Sequence, residues 1–163
     1  MLIHIGYPKT ATTWFQTHYF TKNHGFFALP RHFALNDIVL PRQQDFSINE
    51  VKSDLDKILL EKEDKNLNSV LSHEVFVGNP QSGGYNREEI AYRLKNLFND
   101  PKILILIRKQ DLAIYSTYKQ YIRTGGKCNL NDYLNPPIDG RIPLFDFGYF
   151  EYDKVIKLYQ YLF

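Results

Sequence analysis

The chain has 163 residues, enough for one domain that buries roughly 70% of its unfolded surface. Its 20 Lys and Arg against 18 Asp and Glu leave the charge nearly balanced, so no broad basic surface for nucleic acid or membrane is implied. The single cysteine, Cys128, excludes an intrachain disulfide and a cysteine-rich metal site, and no apolar run approaches the roughly 18 residues needed to cross a bilayer. The chain opens directly with a strand pattern and not with a signal peptide, which makes a reducing, cytoplasmic setting the expectation.

The first predicted element is a buried strand over residues 2–6, with Leu2, Ile3 and Ile5. It runs straight into Tyr7-Pro8-Lys9-Thr10-Ala11-Thr12-Thr13-Trp14. A strand that delivers the backbone to a tight turn, followed by a helix start, presents free N–H groups and the positive end of a dipole to an anion. Lys9 adds a full charge, and Thr10, Thr12 and Thr13 add hydroxyl donors. The nucleoside-triphosphate loop G-x-x-x-x-G-K-[ST] does not fit, because no Gly-Lys pair occurs and Lys9 precedes the hydroxyls. The octapeptide closely resembles the 5'-phosphosulfate loop of the sulfotransferase family, usually Tyr-Pro-Lys-Ser-Gly-Thr-Thr-Trp. The resemblance assigns Lys9, Thr10, Ala11, Thr12, Thr13 and Trp14 to binding 3'-phosphoadenosine 5'-phosphosulfate (PAPS). Two positions depart from the pattern. Thr10 keeps the hydroxyl of the serine it replaces, whereas Ala11 gives up the easy access of glycine to positive φ. The alternative is an ordinary strand-to-helix connection in which the threonines cap and Trp14 packs.

Residues 24–46 lack regular spacing and are expected to form a long loop over the sheet edge. Ser47 and Glu50 form a capping-box pattern before the apolar stripe Val51, Leu55, Ile58 and Leu59, which predicts a helix. A short strand over 69–73 follows the charged turn Glu61 to Asn66. Asn86 with Glu89 then starts another helix, with the stripe Ile90, Leu94, Leu97 and Phe98. Pro101 separates that helix from a strand over 102–107, Lys102 to Ile107, which ends at Arg108. The residues after it, to Arg123, read as a helix with Ile114, Tyr118, Tyr121 and Ile122 on one face and Ser116 on the opposite side. An arginine at a strand end and a serine two helical turns later resemble the family's 3'-phosphate site, with Arg108 as the planar fork and Ser116 as a hydroxyl donor. Taken alone, the pair also fits a solvated arginine and an exposed serine.

Residues 125–148, with Gly125-Gly126, Pro136-Pro137 and Pro143, are expected to form a second long loop. Tyr152, Val155, Ile156, Tyr159 and Leu162 have helical spacing up to the last residue, Phe163. Strands alternating with helices predict an α/β fold, a parallel β-sheet flanked by helices and joined by right-handed crossovers, in one domain over 1–163. The resemblance implies a P-loop-like nucleotide-binding fold of sulfotransferase type, covering the N-terminal half to two-thirds of that fold. A domain truncated at the C-terminus, lacking the family's late contact to the 3'-phosphate, is therefore the expectation.

Sulfuryl transfer from PAPS to an acceptor hydroxyl is the chemistry the resemblance implies, with no metal. Lys9 would neutralise the departing oxygen, and a base is needed for the acceptor. The segment Leu71-Ser72-His73-Glu74 puts two candidate bases, His73 and Glu74, at the carboxyl edge of the sheet, where alternation lets only one face the cleft. Glu74 is preferred, because a Ser-x-Glu strand end looks like the bacterial and carbohydrate-modifying branches of the family. A capping or salt-bridging Glu74 beside a packed His73 is the alternative. His4, His18, His24 and His32 show no metal spacing and are read as structural. Of the 12 Tyr and 12 Phe, Phe76, Tyr85, Tyr118 and Tyr121 are placed near the cleft, where they would stack on a sugar or adenine. The acceptor is expected to be a small molecule or carbohydrate, on a glycan or glycolipid, and the sequence sets no oligomeric state. Two other classes stay open: a P-loop-like small-molecule kinase, and a non-catalytic module that keeps the fold.

Overall fold

The computed structural model describes residues 1–163. Four parallel strands form one sheet in the order β2-β3-β1-β4: β1 (Leu2–Gly6), β2 (Phe26–Ala28), β3 (Asn68–Ser72) and β4 (Lys102–Leu106). Three of the four lie where alternation and apolar runs put them. β1 is central and buried on both faces, Ile3 and Ile5 on one and His4 on the other, with Val70 and Leu71 of β3 fully buried beside it. Its register pairs His4 with Ser72 on one side and Gly6 with Leu106 on the other. The ladder continues past the strand ends, since the His73 amide donates to the His4 carbonyl and the Tyr7 amide to the Leu106 carbonyl. The carboxyl ends of β1, β3 and β4 therefore finish side by side.

Six α-helices accompany the sheet: α1 (Thr12–Trp14), continued by a π-helical turn over Phe15–Tyr19, α2 (Ile48–Leu60), α3 (Arg87–Leu97), α4 (Gln110–Arg123), α5 (Leu130–Leu134) and α6 (Tyr152–Leu162). The α2 start is the expected one, with the Ser47 hydroxyl accepting from the Glu50 amide at 3.4 Å. The α3 start is not. The Asn86 side chain makes no cap and instead accepts from the Asn79 amide, while Glu89 pairs with Arg93.

That Arg93 explains why residues 24–46 are not the loop their irregular spacing suggests. The segment contributes β2 and a π-helix over Phe33–Val39, in which Phe33, Ala34 and Ile38 are buried. The buried Arg93 guanidinium reaches across from α3 to the carbonyls of Ile38 at 2.6 Å and Pro41 at 2.8 Å, and it lies over the Phe46 ring. Carbonyls that a π-helix leaves without regular partners are satisfied by a charged donor. The 125–148 stretch likewise holds α5, capped by Asn129 onto the Asp132 amide, with Tyr133 fully buried.

Aromatic packing from the C-terminal part fixes the turn after β3. The Tyr159 hydroxyl donates to the Phe76 carbonyl at 3.1 Å and the Tyr149 hydroxyl to the Gly78 carbonyl at 3.3 Å, while Arg87 donates to the carbonyls of Val77 and Tyr149. Phe76 is fully buried in the core and has no face free for stacking on a ligand. Tyr118 and Tyr121 are also committed, lying 5.2 and 5.0 Å from the Tyr133 ring. Only Tyr85 is largely exposed. Phe76→Ala should cost about 3–5 kcal/mol of unfolding free energy in a denaturant titration. A loss near zero would show that Phe76 is not a core residue.

Candidate functional site

The loop after β1 is a closed turn held by one carbonyl. The Tyr7 carbonyl accepts from both the Thr10 amide at 3.2 Å and the Thr10 hydroxyl at 2.6 Å. Within this turn Lys9 (φ 68°) and Ala11 (φ 64°) are left-handed, a conformation that costs a non-glycine residue about 1–2 kcal/mol. Neither of their amides has an acceptor within the chain. Amides turned together by left-handed residues form a concave donor set suited to an anion. Thr12 sits in the notch left by Gly6, where an added Cβ would lie 2.0 Å from the Thr12 hydroxyl oxygen. That hydroxyl is buried and has no partner.

Arg108, two residues beyond β4, joins this loop to α4. One guanidinium nitrogen, Nη1, donates to the Lys9 carbonyl and to the Ser116 hydroxyl, both at 3.3 Å. The most buried residues of α4 are Ala113, Ser116 and Thr117; of the apolar stripe that its spacing predicts, Ile114, Tyr118 and Tyr121 pack half-buried against the core, whereas Ile122 is exposed. Tyr118 and Tyr121 pack against the Tyr133 ring.

The β3 end supplies the opposite wall. His73 is buried, and its Nδ1 accepts from the Val75 amide at 3.2 Å, so its ring proton sits on Nε2. Burial pushes its pKa down, against the pull of Glu74, and Arg31 lowers it further. Glu74 faces the cleft. One of its oxygens is 3.4 Å from the Arg31 guanidinium, and the other is buried without a hydrogen-bond partner. The His73 Nδ1 lies 3.6 Å from that second oxygen but presents a lone pair already used by Val75, so the two make no hydrogen bond.

These groups line a cleft of about 590 Å³ that gathers Lys9, Thr12, Thr13, Glu74, Arg108 and Gln120. Ala11 borders it too. The other expected site residues lie apart from its wall. The Thr10 hydroxyl is spent on the turn, Ser116 stands behind Arg108, His73 packs against Phe76, and the half-exposed Trp14 stacks edge-on with Phe15. Gly6, Arg31 and Gln120 belong to the site without having been singled out in the sequence. Gln120 was legible in principle, one helical turn beyond Ser116.

Beneath the loop, the His4 Nδ1 is 2.7 Å from the Ser72 hydroxyl, and the Gln16 amide donates to the Ser72 carbonyl at 2.9 Å. Burial pushes the His4 pKa down to about 4, opposed by the charge of Glu74. No group of three or more His, Cys, Asp or Glu side chains is placed to hold a metal ion, and no helix is long and apolar enough to cross a membrane. The chain matches no family model, no curated protein and no solved structure.

Two predictions come from this geometry. Ala11→Gly removes the steric penalty at φ 64° and should leave stability unchanged or raise it by up to about 1 kcal/mol, read from thermal unfolding. A clear destabilisation would contradict the left-handed conformation. The second concerns acid. The unfolded chain binds a proton at His4 near pH 6.5 and the folded chain only near pH 4, so stability should fall as pH drops between those values, by on the order of 3 kcal/mol. His4→Gln should reduce the slope in that window, and an unchanged slope would assign it to other groups.

Proposed function

We propose that the chain binds PAPS in this cleft and transfers its sulfuryl group to an acceptor hydroxyl, as a P-loop-like domain of sulfotransferase type. The observation that carries the proposal is the single Arg108 nitrogen bridging the Lys9 carbonyl and the Ser116 hydroxyl. Two motifs that resemble the two phosphate sites of one cofactor, 99 residues apart in sequence, meet at the rim of one cleft. The unpartnered Thr12 hydroxyl and the free amides of Lys9 and Ala11 suit the 5'-phosphosulfate end, while the remaining donors of Arg108 suit the 3'-phosphate.

The chemistry runs between the two walls. Glu74 takes the proton of the acceptor hydroxyl as its oxygen bonds to sulfur, the sulfur–oxygen bond to the 5'-phosphate breaks, and Lys9 with the loop donors stabilises the charge left on that phosphate. The buried His73, with Nδ1 occupied, is a poor base by comparison and serves to hold the Val75 turn. A carbohydrate or small alcohol suits the polar, open cleft.

Calorimetric titration with 3'-phosphoadenosine 5'-phosphate, set against ATP with magnesium, tests the assignment. The first ligand should bind and the second should not; the reverse would indicate a kinase. Arg108→Ala should weaken the first ligand by roughly 1.5–3 kcal/mol and leave adenosine 5'-phosphosulfate unaffected. Equal losses for both ligands would make Arg108 structural.

Release of the desulfated product, followed over time, tests the two walls separately. Lys9→Ala should slow it by on the order of 10²-fold in a folded protein. Glu74→Gln should slow it by roughly 10²–10⁴-fold with cofactor binding retained, and His73→Asn much less. The opposite ranking of the last two would move the base to His73.

A further inference from the structure

The outer face of α4 combines exposed apolar and basic side chains. Leu112, Tyr115, Lys119 and Ile122, spaced i, i+3, i+7 and i+10, share one exposed stripe with Arg123 at its edge. Leu112, Tyr115 and Ile122 are 47, 53 and 43% exposed, and Ile107 just before the helix is 52% exposed. Between Arg108 and Lys127 the chain carries five Lys and Arg and one Asp, a net charge of +4 in a protein whose total is +2. The one acid, Asp111, is paired with Lys109 at 3.0 Å. Lys119, Arg123 and Lys127 have no carboxylate within ion-pair distance. The Lys119 ammonium instead rests 4.8 Å from the centre of the Tyr115 ring.

We infer that this face docks onto an anionic lipid surface, with Leu112, Tyr115 and Ile122 entering the headgroup boundary and Lys119 and Arg123 meeting the lipid phosphates and carboxylates. Exposed apolar side chains sharing one helix face with flexible basic ones are the arrangement of an interfacial helix. A soluble polyanion would use the charges and gain nothing from the exposed leucine and isoleucine. The charge concentration is local, which is why the balanced total composition conceals it. The inference is independent of the chemistry proposed for the cleft.

Co-sedimentation of the full chain with phosphatidylserine/phosphatidylcholine vesicles, at low ionic strength, tests it against vesicles of phosphatidylcholine alone. Binding should require the anionic lipid. The double substitution Lys119→Gln with Arg123→Gln should weaken it by roughly 25-fold, since each basic residue near a lipid surface is worth about fivefold. Leu112→Ser with Ile122→Ser should also weaken it severalfold. All four positions are on the surface, and circular dichroism checks that the variants fold. Absence of binding to the anionic vesicles overturns the inference. So does an apolar double variant that binds them as wild type does, because the face would then be a simple polyanion site, which heparin would occupy equally in both proteins.

Discussion

The structure depends on the parallel pairing of β1 on both of its edges. β1 is buried on both faces and lies inside the sheet, and its two neighbours, β3 and β4, come from residues some 70 and 100 positions later. Parallel register then forces three chain segments to leave the sheet at the same edge. One carries Lys9 and the threonines, one Glu74 and one Arg108. No single segment could assemble that cleft, because a loop cannot supply walls on two sides of itself. The position also fits the general behaviour of open α/β sheets, in which ligands lie beyond the carboxyl ends of the strands where neighbouring connections diverge.

The loop after β1 is energetically unfavourable as a local structure. Two left-handed residues with side chains, and amides with no internal acceptor, do not persist unless their surroundings hold them. Three contacts do so here: the doubly accepting Tyr7 carbonyl, the Thr12 side chain seated against Gly6, and the Arg108 guanidinium on the Lys9 carbonyl. The last of these couples the two strands' connections, so the shape of the first loop depends on the ordering of the second. A charged hydrogen bond across that junction is worth more than a neutral one, and it is exposed to solvent, which moderates its contribution.

Glu74 is held differently. Its own neighbourhood in sequence is a short 3₁₀ turn, which has little intrinsic stability. The turn is fixed from outside, by tyrosine hydroxyls from the C-terminal part reaching the carbonyls of Phe76 and Gly78 and by Arg87 on Val77. Residues that never border the cleft thus determine where its carboxylate points. The high tyrosine content finds its use here, since a buried phenol fills core volume and still satisfies a carbonyl that the irregular turn leaves open.

The sequence by itself determined the strands at 2–6, 68–72 and 102–106 to within a residue or so, the helices that alternate with them, and the parallel α/β architecture, because apolar runs and helical stripes report burial directly. It also marked Lys9, Thr12, Thr13, Glu74 and Arg108, whose residue types and places at strand ends are local features. Tertiary structure alone decided the rest. The π-helix at Phe33–Val39 follows no 3.6-residue spacing, and its end is held by Arg93 of another helix through the Ile38 carbonyl. The most buried positions of α4 are the small Ala113, Ser116 and Thr117, which apolar spacing does not mark. The sequence does not show that the turn buries His73 and leaves Glu74 bordering the cleft, because that turn is held by contacts from residues more than 70 positions away.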